Sequence, residues 1–353
     1  VRSFISNSND RIPITSWWKV WLLTAIIVVL FITIWNHFWA SRGVYLYPNY
    51  GEELWSYHRR RVTRVGDNGI VLAGSSKILV GIDQNTLAKL TGKTPIQLGI
   101  PGGSPIPVLR HLAEDESFRG VVISDLAEVV TYVRETNSPL LPILRENAPD
   151  AEEWIKAYSE SNYADDLELR LRGYGREIIA YPNLGKNPPD VFDNIINGRG
   201  FQKREVGFLM SFDRTLLYGS EYSTPGYIET LSKFQTEAMQ RQIAEDPPDP
   251  AKFIEIIHKI EPLVERIQAR GGKVIFVNLP TTGEIWELYE KAYPKKDFWD
   301  VFAKRTSAIT IHFRDYPSLA NFVCIDGLHL DSKDAPAFTE ALVKIIYEQN
   351  ISK

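Results

Sequence analysis

Four apolar residues in a row, Ile70-Val71-Leu72-Ala73, are followed at once by Gly74-Ser75-Ser76. A strand with one wet face alternates apolar and polar residues. A run without alternation must be covered on both faces, as in a parallel sheet with helices on either side. Gly74 ends the run and permits a tight turn. The two serines then fall at the carboxyl end of the strand, where open α/β sheets place their ligands. A serine on a sharp strand-to-helix turn is held clear of its own backbone, as a nucleophile must be. A serine that merely caps the next helix fits the same residues.

The pattern downstream extends that constraint. Asp83 to Leu90 reads as a short helix ended by Gly92, and Pro95 to Ile100 as a second strand. The loop Pro101-Gly102-Gly103-Ser104-Pro105 follows, then a helix over about 106–115 and a third strand at Val121-Val122-Ile123. This β-α-β-α-β order is that of a parallel sheet with helices on both faces. The next regular strand is Lys273–Val277. It is fed by an amphipathic helix carrying Phe253, Ile256, Ile257, Ile260, Leu263 and Ile267 and ending at Gly271. The stretch at about 126–247 is therefore an insertion, mostly helical by pattern, whose aromatic residues suit either a core or a substrate groove. Phe322 to Ile325 reads as a final strand running into Asp326-Gly327-Leu328-His329, and Ala337 to Tyr347 as a closing helix.

The amino-terminal region obeys a different rule. Residues 20–41 carry no Asp, Glu, Lys or Arg. About 20 apolar residues span a bilayer core as a helix. Trp17, Trp18 and Trp21 lie at one end and Trp35 and Trp39 at the other, like interfacial belts. Pro13, Thr15 and Ser16 supply a helix start. The division expected is residues 1–16 cytoplasmic, 17–40 transmembrane and 41–353 exported. Arg2, Arg11 and Lys19 outweigh Asp10 before the span, while Arg42, Glu52 and Glu53 follow it. The positive-inside rule then places the amino terminus in the cytoplasm and the body in the periplasm or outside the cell. Arg59, Arg60, Arg61 and Arg64 fall on a helix over 50–64, read as a solvated face or a contact with anionic headgroups.

Composition excludes several classes. The 40 Lys and Arg against 44 Asp and Glu leave a net charge of −4, which does not suit a nucleic-acid binder. Cys324 is the single cysteine, and no Cys/His spacing suggests a metal; no cofactor motif is present. If Ser76 is a nucleophile, it needs a base and the base needs an orienting acceptor. His37 lies in the apolar span, and His58, His111 and His258 lie in helices. His312 sits beside charged residues without a turn signal. His329 alone is read in a loop after a buried strand, with Asp326 three residues earlier.

Those blocks together resemble the SGNH (GDSL-like) esterase and acyltransferase superfamily. Gly74-Ser75-Ser76 stands where the family has Gly-Asp-Ser, so Ser76 aligns with its nucleophile. Leu98-Gly99-Ile100-Pro101-Gly102-Gly103 is similar to the second block, and Asp326-Gly327-Leu328-His329 to the Asp-x-x-His block. The resemblance implies a three-layer, flavodoxin-like parallel sheet. It implies a catalytic set of Ser76, Asp326 and His329, with the amides of Ser76 and Gly102 as oxyanion hole. Ser75, Gly103 and Asn278 are pocket candidates, Asn278 equally suiting a turn before Pro280. The chain departs from the family in Ser75, and in Ser124-Asp125-Leu126, where the family's oxyanion asparagine is absent.

An anchor on such a domain resembles the branch that transfers D-alanine to teichoic acids or O-acetylates alginate. That branch implies an O-acyltransferase or esterase acting on cell-envelope polysaccharide or an acylated carrier, beside a polytopic membrane O-acyltransferase. A plain tethered esterase fits as well. A scaffold that binds polysaccharide or an acyltransferase without efficient catalysis is the alternative from another class.

Overall fold

The computed structural model describes residues 17–40, 51–136, 138–178, 208–218, 222 and 225–351. Internal contacts divide the chain into two units: Val1–Leu46 with Tyr174–Arg204, and Tyr47–Gly173 with Glu205–Lys353.

In the first unit the main described element is helix α1, Trp18–Ala40. Its stretch Trp18–Phe38 is long and apolar enough to cross a membrane, a property shared by signal sequences. Most of the described large apolar side chains along it are exposed, with Trp21 at 69% and Ile34 at 67%. The flanking residues that carry the orientation argument (Arg2, Asp10, Arg11 and Arg42), and the helix-start signals Pro13, Thr15 and Ser16, lie outside the described residues.

The second unit opens with α2 (Glu52–Val65), then β1 (Gly69–Ala73), α3 (Ser76–Gly81), α4 (Gln84–Thr91), β2 (Thr94–Gln97), α5 (Ile106–Glu114) and β3 (Val121–Asp125). The insertion supplies α6 (Glu128–Glu135), α7 (Leu141–Asn147), α8 (Ala151–Glu160), α9 (Tyr163–Ile178), β4 (Phe208–Met210), β5 (Leu216–Tyr218) and α10 (Tyr227–Glu245). The framework resumes with α11 (Pro250–Ala269), β6 (Lys273–Asn278), α12 (Gly283–Ala292), α13 (Trp299–Arg305), β7 (Ile309–His312), α14 (Pro317–Ala320) and α15 (Ala335–Ile351).

Five strands form one parallel sheet in the order β2-β1-β3-β6-β7. The unbroken apolar run of β1 is explained by its two faces. Val71 and Ala73 join a core with α2, α5 and α11, through Trp55, Leu109 and Ile260. Ile70 and Leu72 join a second core with α3, α4 and α15, through Ile78, Leu87 and Phe338. Each fully buried aliphatic side chain contributes about 1.5–3 kcal/mol, so any shift of register by one residue is strongly disfavoured.

Two expectations need correction, and a third, the mostly helical insertion, gains a detail. The fifth strand is Ile309–His312, not Phe322–Ile325; Cys324 makes only an isolated antiparallel bridge to Leu330. Ile309 and Ile311 pack against the α15 layer within the sheet, whereas the run at 322–325 buries Cys324 and packs Phe322 on that layer but leaves Val323 66% exposed, outside the sheet. The insertion contains an antiparallel hairpin, β4–β5, besides its helices. Two of the α2 arginines, Arg59 and Arg60, are buried and not part of a solvated face, whereas Arg64 is exposed. Arg59 is buried against Asp115 at 2.7 Å, and Arg60 and Arg64 both bind Asp166 of α9. The insertion covers this side of α2, which no local pattern announces.

Candidate active site

The nucleophile candidate is placed by a turn that only glycine can make. Gly74 has φ +127°, and a Cβ there would lie 1.4 Å from Asp125 Oδ1. That carboxylate occupies the space because it accepts from the Ser75 amide at 2.7 Å and from Ser75 Oγ at 2.6 Å. Ser75 Oγ in turn accepts from the Lys77 amide, capping α3. Ser75 thus performs the cap role, and Ser76, half-buried at the first position of α3, is left to face outward. Its amide has no intrahelical partner at that position.

His329 arrives from a loop on the far side of the chain. Its Nε2 lies 2.8 Å from Ser76 Oγ, and its Nδ1 lies 2.7 Å from Asp326 Oδ2. The structure therefore brings Ser76, His329 and Asp326 into one hydrogen-bonded line. Asp326 is 1% exposed. Burial alone would raise its pKa, but the bonds from the His329 ring and from the His329 and Leu328 amides hold it at about 2. An ionised carboxylate can only accept, so Nδ1 carries the proton and Nε2 presents a lone pair to the serine hydroxyl.

The loop after β2 supplies the oxyanion candidate. Gly102 has φ +62°, and a Cβ there would sit 2.7 Å from Ala148 Cβ in the insertion. Its carbonyl accepts from Arg134 Nε at 2.9 Å. Its amide donates to no group among the described residues. The neighbouring Gly103 amide instead donates to the Ile100 carbonyl at 2.8 Å, closing the turn. Asn278, at the end of β6, donates to both oxygens of Glu128 at 2.9 Å. Ser75, Gly103 and Asn278 are therefore each engaged internally.

Beneath the site lies a set of buried acids absent from the sequence reading. Burial lifts Glu128 to about 7, against bonds from Tyr289 and Asn278, and lifts Asp125 to about 6, against the two bonds from Ser75. Lys77 Nζ reaches the Leu279 carbonyl and Thr281 Oγ1 at 2.8 Å each, tying the nucleophile helix to the loop after β6. Burial lowers the Lys77 pKa from the ordinary lysine range.

The insertion grips all three loops. Arg214 is fully buried, yet it has no carboxylate partner; its Nε and Nη2 donate to the carbonyls of Gln97 and Gly99 at 3.1 and 2.6 Å. It closes the β4–β5 hairpin at φ +63°, a position where glycine or asparagine is usual. Leu216 packs on Leu79 and Val80 behind the nucleophile. The Tyr218 hydroxyl donates to the Leu330 carbonyl, and Gln235 Nε2 of α10 donates to Asp326 Oδ2 at 3.2 Å. None of these residues carries a motif, since each acts through contacts more than 90 residues away in sequence. A cleft of about 920 Å³ opens between α10 and the loops at 282–285 and 323–327, with Ser232, Thr236 and Glu284 on its walls and Asp326 at its edge.

The arrangement can deprotonate a serine hydroxyl as it attacks a carbonyl, and can store the proton on a histidine whose cation is compensated by a buried carboxylate. Among the described residues no cluster of His, Cys, Asp and Glu is suited to hold a metal ion. Comparison with known proteins gives no matching family model and no matching curated protein.

Proposed function

We propose that this protein is a serine acyltransferase or esterase of SGNH type that works through an acyl-serine. One observation carries the reading: the line from Ser76 Oγ to His329 Nε2, and from Nδ1 to Asp326 Oδ2, at 2.8 and 2.7 Å. Ser76 Oγ attacks an ester carbonyl, and His329 takes its proton through Nε2. The tetrahedral oxyanion is held by the amides of Ser76 and Gly102. The ester C–O bond then breaks, and His329 returns the proton to the departing alcohol. A second hydroxyl, from water or a sugar, attacks the acyl-serine. His329 removes its proton and gives one back to Ser76 Oγ as the serine is released.

The substrate we propose is an acylated cell-envelope polysaccharide or carrier. The apolar helix α1 supports a membrane location for the body, and one span cannot carry an acyl donor across a bilayer. A polytopic O-acyltransferase is therefore the proposed partner. A scaffold reading has one observation in its favour: β3 ends in Asp125 rather than asparagine, and the amide of Asn278 is committed to Glu128. Loss of one side-chain donor costs about 10²–10³ in rate.

Labelling the full-length chain with a fluorophosphonate separates the two. Adduct on Ser76 by peptide mass spectrometry, absent from S76A and strongly slowed in H329A, is the expected result. Folded parent protein that takes up no label would leave the scaffold reading in possession.

A further inference from the structure

Asp326 has every acceptor position filled. Oδ1 accepts from the amides of Leu328 and His329 at 3.0 and 2.7 Å, and Oδ2 accepts from His329 Nδ1 and from Gln235 Nε2. An ionised carboxylate offers about four lone-pair sites, so the set is complete. Three donors come from the same short loop. The fourth comes from the insertion, 91 residues away in sequence.

Gln235 holds this contact at a cost. Its Oε1 is buried and has no hydrogen-bond partner among the described residues. A buried carbonyl without a donor is unfavourable by about 1–3 kcal/mol. An apolar side chain of similar volume would fill the space without that penalty. The one favourable polar contact left to the side chain is the bond to Asp326, and it shares the very oxygen that His329 uses.

We propose that Gln235 is a positioning residue for the acyl-serine chemistry: it fixes the Asp326 carboxylate and draws off part of the negative charge that Asp326 offers to His329. The inference rests on the acyl-serine reading and extends it to the insertion. α10 then belongs to the working parts of the site, and its placement sets how readily His329 accepts the serine proton. The other titratable groups facing Asp326 are Cys324 and His329 from its own loop, Lys77 from α3 and Tyr218 from β5.

The sign follows from charge. Without the Gln235 donor, Oδ2 places more negative charge on His329 and favours its cation. In Q235L the acid limb of the fluorophosphonate labelling rate is expected to move up by about half a pH unit, with the thermal midpoint close to that of the parent. In Q235M, apolar and close to glutamine in volume, the donor is likewise lost and the limb is expected to move in the same direction. F234A, an exposed position on the same helix, leaves the limb where it is. A limb unmoved in both Gln235 variants, or a rate lowered equally at every pH, overturns the inference while leaving the acyl-serine reading standing. A parent chain that takes no label overturns both.

Discussion

Asp326 and Glu128 are both buried near the carboxyl ends of the strands, at 1% and 2% exposure, yet their pKa values move in opposite directions. Asp326 is held at about 2 and Glu128 is lifted to about 7. Burial pushes both upward. The difference lies in what faces them. Asp326 receives two backbone amides, a side-chain amide and an imidazole that can itself become cationic. Glu128 receives Asn278, which is neutral, and Tyr289, whose own hydroxyl is pushed well above its ordinary value by burial and by Glu128. A loop can turn several amides onto one carboxylate. A carboxylate in the first turn of α6, aimed between β6 and α12, meets only what those elements present. The first arrangement suits a group that must compensate a cation during a reaction; the second suits a group locked into packing.

The same substitution, acid to amide, separates the two most sharply. D326N is expected to lower the labelling rate by about 10³–10⁴, because the amide favours the wrong imidazole tautomer. E128Q is expected to leave that rate within about threefold, since Glu128 touches neither Ser76 nor His329. Parallel labelling time courses on the two variants test this, and an equal loss in both would erase the distinction.

Stability should move in the opposite order. The Glu128 carboxyl has an ordinary value of 4.5 and a folded value of about 7, so folding favours its protonated form. Below pH 4.5 the group is neutral in both states and contributes no difference. As pH rises through that window the folded parent loses stability relative to E128Q. Above pH 7 the difference is on the order of 3 kcal/mol in favour of E128Q. Denaturant melts of both proteins from pH 4 to 8 measure it, and a pH-independent gap would show that Glu128 is ionised when folded. Asp326 has the contrary sign. Its contribution is present above its ordinary value of 3.8 and is lost as pH falls towards 2.

Smaller effects test the donors. S75A removes the hydroxyl that donates to Asp125 Oδ2 and is expected to destabilise the fold by about 1–3 kcal/mol. Y289F removes one of the Glu128 donors and is expected to cost about 1 kcal/mol. It also moves the window of the E128Q comparison to higher pH. Calorimetric midpoints would check both, and a neutral S75A would mean that Asp125 is protonated and self-sufficient.

Local chemistry made much of the framework legible. The unbroken Ile70–Ala73 run implied a doubly covered strand, and Gly74 implied the turn that Asp125 Oδ1 indeed leaves no room to alter. Asp326 and His329 could be paired because they lie three positions apart in one loop. The strand at Ile309–His312 was illegible for a physical reason. Its four residues, Ile-Thr-Ile-His, lie between charged segments, and their burial depends on β6 and α15. The run at Phe322–Ile325 had the better composition, yet it pairs only through an isolated bridge to Leu330 and joins no strand of the sheet.

Hydrophobic periodicity and turn chemistry act over a few residues, so the sequence by itself determined the layer order, the apolar helix α1 and the three blocks that carry Ser76, Gly102 and His329. Tertiary structure alone decided which polar groups those blocks would meet. Arg59 of α2 on Asp115 is a long-range contact within the framework, while Arg60 on Asp166, Arg214 on the Gln97 and Gly99 carbonyls, and Gln235 on Asp326 are long-range contacts made through the insertion. A hydrogen bond depends on about 3 Å of separation in space and carries no trace in the spacing along the chain.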